Sequence, residues 1–161
     1  MSADNTNSTI VVAPIDPSDP QARACVNAYI SELDTRFEAG FDPGRSISAD
    51  DEELRPPVGV LVLAWLGERP VGCGALKFHG DAVADLKRMW VDSAARGHGI
   101  GRRLLTELEA IAVSQGTRTL RLETNGTLVE AITLYRSAGY VEVPAFSDEP
   151  YAHHWFEKQL G

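Results

Sequence analysis

Three glycines alternating with other residues and bracketed by arginines set the stretch Arg96-Gly97-His98-Gly99-Ile100-Gly101-Arg102-Arg103 apart from the rest of this chain. It follows a segment that reads as a strand ending at Val91 and precedes a segment in which Ile100, Leu104, Leu108 and Ile111 fall on one helical stripe. The first turn of a helix carries four backbone N–H groups without intrahelical partners and a partial positive charge, and glycines let a ligand come close to that backbone. With Arg96, Arg102 and Arg103 around it, the loop is built to hold an anion, and a diphosphate suits it. The Walker pattern GxxxxGK[ST] is absent, and GxGxxG is not completed, because Gly97, Gly99 and Gly101 are followed by Arg102. Nucleotide binding through this loop remains the lesser alternative.

The other chemistry-bearing residues point elsewhere. His153 and His154 are adjacent, so on a strand they face opposite ways, and no carboxylate or cysteine completes a ligand set; no metal is expected. Cys73, between Gly72 and Gly74, reads as a small buried residue in a closely approached strand, and the two cysteines lack CxxC spacing. His79, near a hairpin end, reads as exposed. Trp65, Trp90 and Trp155 read as packing residues.

The elements that must position the loop follow from periodicity. Residues 9–15 read as a strand. The run Asp16-Pro17-Ser18-Asp19-Pro20 then starts a helix whose apolar positions are Cys25, Val26, Tyr29, Ile30, Leu33 and Phe37. One short helix is expected over 49–54. Three strands, 58–65, 71–79 and 82–91, form an antiparallel meander. After the loop come a helix over 100–115, a strand over 119–123, a helix that Asn125 can cap and Gly139 ends, and strands over 140–143 and 153–159. This order implies an α/β fold, a mixed but mostly antiparallel sheet of about six to seven strands flanked by about four helices.

With 161 residues, 43% of them hydrophobic and 24% charged, the chain reads as one domain over 1–161, with residues 1–8 frayed. The net charge of −8 argues against nucleic acid and anionic membranes as partners. The longest apolar run, Val58 to Leu66, contains Gly59 and is too short to span a bilayer. No basic, apolar leader begins the chain, so it reads as cytoplasmic.

The pattern R-x-x-G-x-G at Arg96, Gly99 and Gly101, placed after Leu86-Lys87-Arg88-Met89-Trp90-Val91, resembles the acyl-CoA pyrophosphate loop of the GNAT N-acetyltransferase superfamily. Leu122-Glu123-Thr124-Asn125 and the segment from Glu130 to Tyr140, with its Leu134-Tyr135 and Gly139-Tyr140 pairs, are similar to the family's next segment. Phe156 to Leu160 resembles its closing strand. The match covers about residues 82–161; the first half agrees in element order.

The resemblance implies acetyl-CoA as acyl donor, held by Met89, Trp90 and Val91, by Arg96, Gly97, His98, Gly99, Ile100, Gly101 and Arg102, and by Asn125 and Tyr135. Acetyl transfer to an amine needs a neutral nitrogen, a polarised carbonyl and a proton for the leaving thiolate. A lysine-like ammonium of pKa ~10.4 is only about 0.04% neutral at pH 7, so a base or a relayed water must help. Asp85 occupies the position similar to a catalytic glutamate of the family and is the candidate base, acting through water. Tyr135 is the candidate acid at the CoA sulfur, and a backbone N–H of Met89 or Val91 would polarise the carbonyl. The acceptor side is expected to include Glu32, Arg36, Phe37 and Asp85. Glu32, Asp148 and Glu149 favour a cationic amine and Arg36 a carboxylate, so the acceptor stays open. The function implied is acetyl-CoA-dependent N-acetylation of a small-molecule or peptide amine in a direct ternary complex, by a monomer or homodimer. The alternative is a non-catalytic acyl-CoA-binding or regulatory module.

Overall fold

The β-branched run of Ile10–Ile15 opens the structure as strand β1, and Asp19 starts helix α1 (Pro20–Arg36) by accepting a hydrogen bond from the Gln21 backbone N–H at 2.8 Å. This computed structural model describes residues 9–46 and 50–161. The expected frayed start at 1–8 lies outside the described residues, as does Ala49, the first residue of the expected short helix. The rest of that segment forms a single 3-10 turn over Glu52–Leu54 that inserts Leu54 into the core, so among the described residues three α-helices stand where about four were expected.

The meander forms as strands β2 (Gly59–Leu66), β3 (Arg69–Phe78) and β4 (Val83–Val91). Helix α2 (Ile100–Ser114), strand β5 (Thr119–Thr124), helix α3 (Val129–Ser137) and strands β6 (Val141–Val143) and β7 (His154–Gln159) complete the chain. The seven strands lie in the order β1-β2-β3-β4-β5-β7-β6, and β4–β5 is the parallel pair in an otherwise antiparallel sheet.

Helices cover both faces, which is why β2 reads as an unbroken apolar run. Its alternate residues Val60, Val62 and Ala64 pack with Leu104, Leu105 and Leu108 of α2. Leu61 and Leu63 point the other way, toward Ala22 and Cys25 of α1 and toward Leu54. Truncating a fully buried leucine here, such as Leu108, costs about 2–5 kcal/mol. The two helical layers hold the sheet rigid up to the point where β4 and β5 part.

Candidate active site

Strands β4 and β5 pair only at Val83 with Thr119, Ala84 with Leu120 and Asp85 with Arg121. Beyond Leu86 and Leu122 they diverge, leaving a wedge walled by the ends of both strands. A bulge in β4 re-aims the wall on the β4 side. Between the pairs Cys73–Trp90 and Ala75–Lys87, β3 advances two residues and β4 three, and Arg88 takes a left-handed φ of 54°. Gly74 makes the bulge possible: a Cβ there would stand 2.7 Å from both the Met89 sulfur and Leu108 Cδ1. The Cys73 thiol, fully buried and pushed up in pKa by that burial, donates to the Arg88 carbonyl at 3.2 Å.

The glycine loop stands at the β4 side of the wedge. Gly97 and Gly99 have φ of 92° and 72°, a region in which an L side chain is strained. The first N–H of this turn with a protein acceptor is that of Arg103, which bonds Gly99 O at 3.1 Å. Among the described residues, the N–H groups of residues 97–102 have none. A row of unpaired amides at a helix start is a cradle for phosphate oxygens.

Two cavities meet in the wedge. The larger, a partly open cleft of about 360 Å³, reaches from the loop residues Arg96, Gly97, Gly99, Ile100, Gly101 and Arg102 past Met89, Trp90 and Val91 to Tyr135. The smaller, about 130 Å³, runs toward Phe37, Phe41 and Tyr151. Tyr29, Leu33, Met89, Leu128, Ala131 and Tyr135 line both, and so form the junction. Burial pushes the phenols of Tyr135 and Tyr29 upward, each reinforced by other groups, so both stay protonated through the neutral range. Neither hydroxyl has a hydrogen-bond partner among the described residues.

Most of the residues assigned to the donor therefore come together, with two exceptions. His98 is exposed and does not line the cleft. Asn125 lies on the smaller cavity, donates to Tyr151 O at 2.7 Å and accepts from the Thr127 N–H at 2.9 Å. It closes a turn before α3 and is not that helix's cap, which is Leu128. Arg102 lines the cleft and donates to Ser137 Oγ, whereas Arg103 is drawn away toward Ile10 O.

The acceptor-side residues divide. Phe37 lines the smaller cavity, but Glu32 and Arg36 line the larger one and join a network across it. Arg36 grips Glu130 of α3 with two bonds of 2.8 Å and Thr127 O at 2.6 Å, and it lies 3.4 Å from Glu32. Arg36 is thus committed to an internal carboxylate and is not open to a substrate's carboxylate. Arg96 of the loop lies 3.6 Å from Glu32 and 3.7 Å from Glu130, and Trp90 Nε1 donates to Glu32 at 3.3 Å. Hydrogen bonding to Arg36 holds the Glu130 carboxyl below its ordinary range.

Asp85 lies in neither cavity. It receives Arg121 Nε at 2.7 Å and contacts His79 Nε2 at 2.8 Å; burial would raise its pKa, but these hydrogen bonds prevail and lower it. His79 is accordingly half-buried against a carboxylate, not free at a hairpin end. His153 accepts from the Gly126 N–H and His154 pairs with Glu142, and among the described residues no metal-ligating cluster forms. Glu123, which the sequence marks only as part of a strand segment, lines the smaller cavity with Lys87 at 3.0 Å and Ser147 Oγ at 2.6 Å. Tyr29 lines both cavities, although helical spacing alone marks it as core. Among the described residues, no helix is long and apolar enough to cross a membrane.

Residues 26–140 match the Acetyltransferase (GNAT) family. Over 116 residues the chain is 36% identical to an IAA acetyltransferase of Azospirillum brasilense, covering 70% of this chain and 74% of that protein. A GNAT-family acetyltransferase of Staphylococcus aureus Mu50 superposes with a TM-score of 0.78 at 18% identity, over 95% of this chain and all of that one. A provisionally assigned streptothricin acetyltransferase of Bacillus anthracis, in complex with acetyl coenzyme A, superposes with a TM-score of 0.59 at 22% identity, over 71% of this chain and 69% of that one.

Proposed function

This chain belongs to the GNAT acetyltransferase family, enzymes whose donor is acetyl-CoA, and on that premise we propose that it acetylates a primary amine of a small molecule or peptide by direct attack in a ternary complex. The observation that carries the reading is the junction at Tyr135, where the cleft entered over the unpaired amides of residues 97–102 meets a second, smaller cavity. The residues fit the donor. The amides and Arg102 would hold a diphosphate, the apolar wall of Met89, Val91, Leu134 and Ala131 suits an extended thiol arm, and the cleft ends at a phenol.

The donor's thioester supplies an activated acetyl group. In this reading the acceptor nitrogen arrives from the smaller cavity as the neutral amine. As the C–N bond forms and the C–S bond breaks, nitrogen loses one proton to solvent and sulfur gains one. Tyr135 Oη, protonated because burial raises it and without a hydrogen-bond partner among the described residues, is the donor to sulfur. Met89, within the bulge between the paired residues Lys87 and Trp90, brings the β4 backbone to the junction, where an N–H can hydrogen-bond the carbonyl oxygen as it becomes anionic.

Deprotonation of the amine falls to water entering the smaller cavity. Asp85, fixed between Arg121 and His79, ties β4 to β5 at the last residue pair before the wedge, and in this reading it sets the wedge's opening. Arg96 must release Glu32 and Glu130 when the diphosphate arrives, an exchange of carboxylate for phosphate partners.

Calorimetric titration with acetyl-CoA, then thiol release with an amine panel, tests this. Binding together with amine-dependent release of CoA, greatly reduced in Tyr135→Phe, is the expected result. Tight binding without turnover on any amine would instead make the chain a non-catalytic acyl-CoA-binding module.

A further inference from the structure

The smaller cavity has a character that its neighbours do not share. Phe37, Phe41 and Tyr151 meet there with ring centroids 5.7, 5.6 and 4.8 Å apart, edge-on and tilted, and Tyr29 adds a fourth ring at the junction. These rings come from three places: the end of α1, the segment after it, and the loop before β7. Both chain segments are tied down, since the Asp42 N–H donates to Tyr151 Oη at 2.9 Å and the Phe41 N–H to Asp34 at 2.9 Å. Phe41 and Tyr151 are half-buried, leaving ring surface on the cavity.

The charged groups on the walls do not favour one sign. Glu123 is matched by Lys87 at 3.0 Å, Glu149 is held by the Tyr151 N–H at 3.1 Å and by Ser46, and Arg88 supplies a second cation. Arg36, the residue best suited to a substrate carboxylate, is committed to Glu130. With charge balanced, shape and ring surface decide what enters. The free volume of about 130 Å³ is close to that of an engineered apolar cavity, roughly 150 Å³, that binds a single benzene molecule.

We propose that the acceptor is an arylalkylamine: its single ring lies against the cluster of Phe37, Phe41 and Tyr151 on the cavity side, and a short alkyl arm carries the amine to Tyr29 and Tyr135 at the junction. This rests on the N-acetyltransferase reading and narrows it to one substrate class. Offset and edge-on contacts with three rings favour a flat π face over a flexible chain of equal volume. A polyamine, by contrast, would bring a second ammonium to walls whose carboxylates are already engaged, Glu123 by Lys87 and Glu149 by Ser46 and the Tyr151 N–H.

The test compares kcat/KM for benzylamine, phenethylamine, butylamine, putrescine and phenylalanine, with wild type and Phe41→Ala, and measures acetyl-CoA affinity of each protein as a control for folding. Phenethylamine or benzylamine is expected to exceed butylamine by roughly tenfold or more. Phe41→Ala is expected to remove most of that advantage while leaving acetyl-CoA affinity within about twofold. Tyr151→Leu, which keeps bulk and loses the ring, is expected to act in the same direction. Turnover of butylamine, putrescine or phenylalanine at rates equal to or above the arylalkylamines would overturn this inference and leave the N-acetyltransferase reading standing. An equal loss for butylamine and phenethylamine in both variants would also overturn it. Acetyl-CoA binding without turnover of any amine would overturn both.

Discussion

Glu130→Gln isolates the exchange that Arg96 must make on binding the donor. Arg96 lies 3.6 Å from Glu32 and 3.7 Å from Glu130, with its side chain 42% exposed and that of Glu130 45% exposed. At 3.7 Å two unit charges interact by about 1 kcal/mol in water-like surroundings, and exposed pairs of this kind contribute a net 0–1 kcal/mol. A donor diphosphate must overcome that attraction and also approach the Glu130 carboxylate itself. Glutamine keeps the volume and one acceptor for Arg36 but removes both penalties, so the gain in CoA affinity is about 0.5–1 kcal/mol, or roughly two- to fivefold in Kd. Freed Arg36 acts in the same direction. Loss of the bidentate Arg36–Glu130 pair lowers stability by a similar small amount, because that pair is partly exposed. Isothermal titration with CoA at two salt concentrations measures the effect, and the gain is expected to be larger at the lower salt. An unchanged or weakened affinity in a folded Glu130→Gln protein would refute the carboxylate-for-phosphate exchange.

Tyr135→Phe is expected to lower kcat roughly hundredfold while CoA affinity stays within about twofold, and steady-state kinetics with calorimetry separates the two. Because burial raises the Tyr135 phenol above its ordinary pKa of ~10, the pH profile of kcat/KM is expected to rise with amine deprotonation and to show no descending limb below about pH 10. Asp85→Asn is expected to leave the ascending limb in place while costing about 1–2 kcal/mol of stability, visible as a Tm lower by about 2–8 °C. The Asp85 carboxyl is lowered in the folded protein, so its stabilisation is complete above the ordinary carboxylate pKa and is lost as pH falls through the folded value. Acid unfolding of the variant is therefore expected to depend less steeply on pH.

Elements whose signals are local are readable from the chain. The strand, glycine loop and amphipathic helix over residues 83–114 follow from apolar spacing and three glycines, and the structure has them within a residue or two. Features built by long-range pairing are not readable in that way. The clasp from Arg36 to Glu130 joins residues 94 apart in sequence, so Arg36 looks like a free surface cation until α1 and α3 face each other. The bulge at Arg88 depends on a missing Cβ at Gly74 in the neighbouring strand, and a glycine inside a strand has several possible causes. Tyr29 falls on the apolar stripe of α1 and carries no local mark that its hydroxyl reaches a cavity. The short helix expected over 49–54 forms, within the described residues, only a 3-10 turn over Glu52–Leu54, because the packing of Leu54 into the core and the Pro56-Pro57 pair that follows are what hold it. His79 and Asp85 flank a hairpin whose register, Lys77 opposite Asp85, brings them together.

The central claim is that the backbone amides of residues 97–102 hold the donor's diphosphate and so direct its thioester to the junction at Tyr135. A crystal structure with acetyl-CoA bound tests it most directly. Diphosphate oxygens within hydrogen-bonding distance of those N–H groups, with the sulfur beside Tyr135 Oη, are the predicted result; a diphosphate lodged elsewhere, or a thioester turned away from the smaller cavity, would contradict it.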